Sequence, residues 1–377
     1  MAQRGPIVVY GATGFTGTLV AHELRRRGFE VVLAGRSAEK LARLASELVE
    51  TGDVGGAGTI ATRVVALDDA AGLRALLADA AAVIACAGPF VEHGEPVVRA
   101  AVATGTHYVD TTGEQPFMQL VRDRYDALAR RSGAALVPAM GFDYAPGDLL
   151  AHLTAQGVEP LRELVIAYAP RGVRPTRGTL RSALGMLAAE SVVYEDGGWQ
   201  PARLRVARSS FPFPAPVGMQ PVMPYPSGEL LTIPRHVRTR RVTSLITVET
   251  FAGTPKAAPL VPLVSPAMAL ALRSPLRRGL EPLLARFPEG PAPESRARVR
   301  FTVVALAHGE DGRTRRGVAT GGDVYALTAA TTVHGAALMV ADGYDRCGFL
   351  APAEAYDAAA FLAALAAHGV AYELVDA

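Results

Sequence analysis

Gly11, Gly14 and Gly17 stand three residues apart, directly behind the apolar run Pro6–Tyr10 and ahead of a stretch with helical periodicity that reaches Arg27. Strand, glycine turn and helix together bring backbone N–H groups up to a pyrophosphate. The glycines permit the tight turn and the close approach, and the helix N-terminus favours the negative charge. A glycine motif alone is a weak signal; here the strand before it and the helix after it both fit. The candidate cradle is Gly11, Thr13, Gly14, Phe15, Thr16 and Gly17. At the end of the second apolar run, where an acid would meet a ribose 2′-hydroxyl, the chain has Arg36 and Ser37. A guanidinium with a hydroxyl beside it suits a 2′-phosphate, so the expected cofactor is NADP(H). Asp68, just after the third run, is placed to bond the adenine amino group; its competing reading is a helix N-cap.

Hydride chemistry also needs a proton donor. In an open parallel sheet the ligand crevice lies beyond the carboxyl ends of the strands, so the segments after the first, fourth, fifth and sixth strands should converge. Ala87, Gly88 and Pro89 would then floor the nicotinamide site, although Gly-Pro also serves as a plain turn. Tyr144, Asp143 and Tyr108 are the leading proton-transfer candidates, with Asp110, Glu114 and His93 behind them and His107 expected to be structural. Tyr144, in the loop that opens the next helix, is expected to donate to a developing enolate oxygen. Asp143 reads either as an acid of the site or as an N-cap. A lysine-assisted tyrosine of the Tyr-x-x-x-Lys type is excluded, because Lys40 and Lys256 are the only lysines and neither has that spacing. Metal ligation is not expected, since no Cys, His and carboxylate cluster has ligand spacing.

The surrounding elements follow from periodicity. Apolar runs at 30–34, 62–67, 81–86, 107–109 and 134–138 alternate with helical stretches, which predicts parallel βαβ units over residues 1–145. After Asp148 that rhythm stops. Alternating strands at 161–169, 242–251 and 298–307 predict a largely antiparallel sheet, and the proline-rich 211–226 an extended arm. The expectation is an α/β fold: a doubly wound Rossmann-type parallel sheet with a second α+β domain. The first domain spans 1–145 and is completed by C-terminal helices within 321–377; a substrate and dimerisation domain spans 146–320. A net charge of +2 with interspersed acids gives no electrostatic footprint for nucleic acid. Two cysteines form no disulfide framework, and no export signal precedes the first strand, so a cytoplasmic setting is expected. The apolar segment 257–272 is broken by prolines and too short to span a bilayer, leaving a buried or interface segment, a lid, or monotopic membrane contact as its readings.

These motifs resemble the saccharopine dehydrogenase-like oxidoreductases and, among them, the trans-acting enoyl reductases. The resemblance rests on 11–17 (GATGFTG), Ala34-Gly35-Arg36, 87–90 (AGPF), Tyr108-Val109-Asp110 with Gly113-Glu114, and 141–144 (GFDY) with Pro146 and Asp148. It continues through Gly290-Pro291, Glu294, Arg296, Tyr325, Thr328 and 350–354 (LAPAE). It implies an NADP(H) Rossmann domain, a second domain for substrate and dimerisation, and reduction of a lipid or polyketide-like double bond. The lysine and histidine acid–base pair of true saccharopine dehydrogenases has no counterpart in either lysine position. The leading expectation is hydride reduction of an activated C=C bond in a small or carrier-bound apolar substrate. Imine reduction in the same pocket and a non-catalytic NADP(H) sensor are the alternatives.

Overall fold

The computed structural model describes residues 5–50, 58–188, 190–202, 209–252 and 287–376. Its first sheet is parallel. Strands β1 (Ile7–Tyr10), β2 (Val31–Gly35), β3 (Ile60–Val64), β4 (Ala82–Ala85), β5 (His107–Asp110) and β6 (Ala135–Val137) lie in the order β6-β5-β4-β1-β2-β3, and Gly348–Phe349 adds a seventh strand beside β6. The order reverses between β1 and β4, which is the switch point where a doubly wound sheet opens its ligand crevice. Every residue of β1 is buried, as expected for a strand covered by helices on both faces. Val8, Tyr10, Val83, Tyr108 and Leu136 form one buried cluster with Leu73, Val98 and Phe117. The two-residue seventh strand carries no periodicity of its own and was not expected from the sequence.

The connections from β5 and β6 are held by one carboxylate. Asp110 Oδ1 accepts the N–H groups of Thr112 and Ala139, both at 2.8 Å, and Oδ2 accepts the Tyr108 hydroxyl at 2.8 Å. Ala139 sits at φ 62°, a left-handed conformation unfavourable for a residue with a Cβ. The bond from its N–H to the buried carboxylate stabilises that turn. Further along the same loop, Thr331 Oγ1 donates to the Met140 carbonyl at 2.5 Å, and Phe142 N–H donates to Thr328 Oγ1 at 3.0 Å, both threonines lying on the helix Val324–Met339.

The second sheet is mixed and mostly antiparallel. Its path runs through β10 (Ser209–Pro212), β11 (Met219–Pro224), β12 (Val242–Thr247), β7 (Leu161–Arg171), β13 (Arg300–Gly309), β14 (Thr314–Gly322) and a last strand Ala371–Asp376. β7 pairs antiparallel with β13 and parallel with β12, and a short hairpin of β8 (Val192–Glu195) and β9 (Gly198–Pro201) joins at β12. The proline-rich arm supplies β10 and β11. Helix α7 (Ala145–Ala155) is buried at every position except His152, which is half-buried. A helix apolar nearly all round is stable only when packed on all sides. It lies against β13 and β14, where Gly317 makes room: a Cβ there would come within 3.0 Å of Leu150 Cδ1.

Two compact units result. One comprises residues 1–112, 117–142 and 325–356, the other 113–116, 143–324 and 357–377. Residues 357–377 fall in the second unit because the strand Ala371–Asp376 pairs with β14, whereas the sequence reading assigned them to the first. Residues 113–116 join it through Gln115, whose amide donates to the Ser227 carbonyl at 2.7 Å and accepts the Val192 N–H at 2.9 Å. The segment 257–272 lies outside the described residues. Among the described residues no helix is long and apolar enough to cross a membrane.

Asp110→Ala orphans three buried donors at once, so we expect it to destabilise the chain by about 3 kcal/mol or more. Urea denaturation followed by circular dichroism should show a clearly lower midpoint, and an unchanged midpoint would contradict the role assigned to this carboxylate.

Candidate active site

The glycine loop has the geometry of a phosphate cradle, and its three glycines have different reasons to be glycine. Gly11 has φ +80°, and a Cβ there would lie 2.9 Å from the Ala87 nitrogen, so the turn itself excludes a side chain. At Gly17 a Cβ would run into the Gly11 carbonyl oxygen, where helix α1 (Phe15–Arg26) closes on the strand. Gly14 differs. It is exposed, extended at φ −81°, and a Cβ there would meet nothing in the protein closer than the Gly11 oxygen at 3.4 Å. The fold does not require glycine at 14, but an anion seated on the helix N-terminus would, because a side chain would fill the space above the first-turn N–H groups. Phe15 and Thr16 lead that turn, ahead of the first intrahelical bond from Thr18 N–H to the Gly14 carbonyl. The Phe15 ring packs edge-on against Tyr325, with centroids 5.2 Å apart, and Thr13 is half-buried in the loop.

Arg36 and Asp68 converge on one point. Tyr10, at the end of β1, donates its hydroxyl to the Val65 carbonyl at 3.1 Å. Burial raises the pKa of that hydroxyl, the positive charge of Arg36 opposes the rise and the negative charge of Asp68 adds to it, so both side chains lie within electrostatic reach of it. Arg36 is exposed at the end of β2, available to an incoming phosphate. Ser37 accepts the Lys40 N–H at 3.3 Å and so caps helix α2 (Ala38–Glu50), which leaves its hydroxyl proton to donate. The N-cap of helix α3 (Ala70–Leu77) is Asp69, whose carboxylate accepts the Gly72 N–H at 2.8 Å. Asp68 is therefore not spent on capping. Ala87 lies beside Gly11, and the Gly88–Pro89 peptide is cis, with Pro89 opening helix α4 (Phe90–His93). These residues fit NADP(H).

The candidate proton donors separate sharply. Tyr108 is fully buried and its hydroxyl donates to Asp110, so burial and the neighbouring carboxylate hold its pKa well above the ordinary range. Its hydroxyl braces the turn described above. His107 accepts the Ala135 N–H through Nδ1 at 3.1 Å. Glu114 is buried and accepts the Ser182 hydroxyl at 2.8 Å.

Asp143 and Tyr144 sit in a phenol-rich cluster. Asp143 is exposed as a residue, yet the protein packed around its carboxyl strips enough hydration to push its pKa up to about 6. Tyr144, next in the chain and 2% exposed, donates to the Gly113 carbonyl at 2.8 Å and accepts from the Tyr225 hydroxyl at 3.4 Å. Tyr225 also packs edge-on against Tyr168, with centroids 6.1 Å apart, and Tyr168 donates to Glu229 Oε1. Glu229 is 0% exposed, and desolvation pushes its carboxyl up to about 8. Neither Tyr225 nor Tyr168 nor Glu229 was singled out from the sequence. Tyr168 sits in an ordinary alternating strand, Glu229 reads as a routine first-turn acid, and only the rigid Pro224-Tyr225-Pro226 placement carried a signal.

With this geometry in place, the chain was compared with known proteins. Residues 7–140 match the family model of the saccharopine dehydrogenase NADP binding domain. A Mycobacterium tuberculosis protein named as a trans-acting enoyl reductase is 40% identical over 145 residues, covering 38% of this chain and 33% of that protein. A saccharopine dehydrogenase-like oxidoreductase of Bos taurus is 31% identical over 194 residues, covering 47% and 45%. The alignments thus span less than half the length of these relatives. The solved structure of saccharopine dehydrogenase (L-Glu forming) from Saccharomyces cerevisiae superposes over 98% of this chain and 100% of that one, with a TM-score of 0.60 and 17% identity, a likeness of fold.

Two outcomes follow. Arg36→Ala should cost about 1.5–3 kcal/mol of NADPH affinity, one to two decades, and leave NADH affinity almost unchanged; fluorescence titration with both cofactors checks this, and equal losses would refute a 2′-phosphate contact. Glu229 keeps its proton in the fold up to about pH 8 but would release it near 4.5 when unfolded. Folding therefore takes up a proton between those values, and the stability this carboxyl contributes is full below 4.5 and lost as pH rises through 8. Glu229→Gln lacks that loss, so its unfolding free energy in urea should gain on the wild type across this window, by at most about 1.4 kcal/mol per pH unit. A pH-independent difference between the two proteins would contradict a neutral Glu229.

Proposed function

We propose, from the match of residues 7–140 to the saccharopine dehydrogenase NADP binding domain, that the chain is an NADPH-dependent oxidoreductase that reduces an activated C=C bond in an apolar, small or carrier-bound substrate. The observation that carries this reading is the hydroxyl pair of Tyr144 and Tyr225 next to Asp143, a carboxyl whose pKa is pushed up to about 6, on residues that directly follow residues 117–142 in the chain. The relative named as an enoyl reductase supports the choice of bond. A cytoplasmic homodimer belongs to the same proposal, with sedimentation velocity as its check.

Held by the glycine loop with Arg36 and Ser37, NADPH would supply a hydride to the carbon β to a carbonyl, and negative charge would develop on the carbonyl oxygen. Tyr144 and Tyr225 provide hydroxyls to hold that charge; to donate there, Tyr144 exchanges its bond to the Gly113 carbonyl for one to the substrate. Asp143 in its protonated form gives the second hydrogen to the α-carbon. A carboxyl titrating near 6 suits that task, being acidic enough to give the proton and basic enough to be refilled.

NADPH oxidation against a panel of enoyl thioesters and cyclic imines tests the reaction class, and turnover confined to the imines would overturn the C=C assignment. With a confirmed substrate, kcat should be level below pH 6 and fall above it, because the protonated acid is the active form. Asp143→Asn should remove that limb. Tyr144→Phe should lower kcat by about 10²–10³ with NADPH affinity intact; normal turnover would reduce Tyr144 to a packing residue.

A further inference from the structure

Two loops of the first unit, the glycine cradle and the loop that leaves β6, rest on the same helix, Val324–Met339. Near the start of that helix the Tyr325 ring, 8% exposed, meets the ring of Phe15 edge-on, and Phe15 opens α1. The C-cap of α1, Arg27, brings its Nη1 within 3.4 Å of His334 Nδ1, so the helix touches α1 at both ends. Further along, Thr328 Oγ1 accepts the Phe142 N–H at 3.0 Å and Thr331 Oγ1 donates to the Met140 carbonyl at 2.5 Å. The N–H groups of Ala139 and Met140 donate in turn to the carboxylate and the carbonyl of Asp110, at 2.8 and 2.9 Å. Residues 139–142, which run directly into Asp143, are thus held by Asp110 and by two threonines of one helix.

A helix that only covered the sheet would do better with alanine or leucine at these positions, because threonine is stiff at χ1 and forms helices less readily. Thr331 is nevertheless 0% exposed. Its hydroxyl also lies 3.0 Å from the Leu327 and Thr328 carbonyls of its own helix, and the loop carbonyl is the nearest of the three. One turn on, a Cβ at Gly335 would stand 3.0 Å from Met140 Cε, so a larger residue would push the helix off the loop. Tyr325, Thr328, Thr331 and Gly335 follow one another at intervals of three, three and four, which places them on one helix face. That face carries a ring where it meets the cradle and hydroxyls where it meets the loop.

We propose that Tyr325 and Thr328 are positioning residues: Tyr325 holds the opening of the cofactor cradle through Phe15, and Thr328, with Thr331, holds the loop that ends at Asp143. This rests on the reading of NADPH and Asp143 as the sources of hydride and proton. The first N–H groups of a helix have no intrahelical partner and aim where its first turn aims, and Phe15 leads that turn in α1. A pyrophosphate is common to NADPH and NADH, so the Tyr325 contact serves both alike, unlike Arg36. On the other loop, the Phe142 N–H that loses Thr328 Oγ1 has to turn toward another acceptor, and Asp143, the next residue, turns with it.

Both contacts can be tested on the full chain without substrate. In fluorescence titrations Tyr325→Ala should bind NADPH and NADH about three- to tenfold more weakly, by the same factor, while Tyr325→Phe, which keeps the ring, stays within about twofold of wild type. Thr328→Val should leave NADPH affinity unchanged. In that variant the NMR titration midpoint of the Asp143 carboxyl carbon, assigned with Asp143→Asn, should fall from about 6 toward the ordinary aspartate value of 3.8. Thr328→Ser keeps the acceptor and should restore the wild-type midpoint. Should Tyr325→Ala or Thr328→Val not fold, Tyr325→Leu and Thr328→Ala are judged by the same results. The proposal is overturned by unchanged affinities in Tyr325→Ala, by a loss confined to NADPH, by an equal loss in Tyr325→Phe, or by an Asp143 midpoint that does not fall in Thr328→Val. Turnover of enoyl thioesters is scored separately, so a wrong reaction class and a wrong positioning role give different results.

Discussion

The Asp110 carboxylate is the constraint on which both ends of this architecture depend. It stands at the end of β5, bonds the backbone of the loop that leaves β5 and of the loop that leaves β6, and holds Ala139 in a backbone conformation that alanine does not choose. The first loop continues into Gly113, which receives the Tyr144 hydroxyl; the second continues into Asp143 and Tyr144 themselves. A single buried acceptor thus fixes the backbone where both segments begin. Its cost is that of burying a carboxylate. Three hydrogen bonds, one of them from the buried Tyr108 hydroxyl, compensate for the lost hydration.

Packing of α7 explains why the second unit tolerates so much buried polarity. The helix is apolar enough to be enclosed by β13, β14 and α9 (Glu229–His236), and its few polar residues then have to find partners inside. Asp148 finds Nε2 of His236, His152 the Nδ1 of the same ring, and Gly147 concedes its side-chain volume to Tyr168 and Glu229. Buried tyrosines with pKa values held well above the ordinary range stay protonated at every physiological pH, which is the state a hydrogen-bond donor requires.

What the sequence disclosed follows the range of the interactions involved. The glycine loop, Arg36 and the alternating strands and helices are local patterns, legible from spacing and turn chemistry alone. Asp68 and Asp69 show the limit of locality: two adjacent acids, of which only backbone geometry decides which one caps α3. The pairing of Tyr108 with Asp110 was legible too, because residues two apart in a strand point to the same face. The convergence of Tyr144, Tyr168, Tyr225 and Glu229 was not legible. They come from a helix start, a central strand, a proline-flanked turn and another helix, and only the tertiary pairing of β7 with β12 and of α7 with α9 brings them together. The same holds for the last strand, whose sequence says strand but not which sheet.

Isotope tracing tests the central claim, that this chain moves a hydride from NADPH and a proton from its own acid onto a polarised double bond. With NADPH deuterated at the transferable position and a crotonyl thioester as probe, the product should carry one deuterium on the β-carbon. With unlabelled NADPH in D2O, the deuterium should instead appear on the α-carbon. Consumption of NADPH without label in the product, or cofactor-derived deuterium at the α-carbon, would contradict the account.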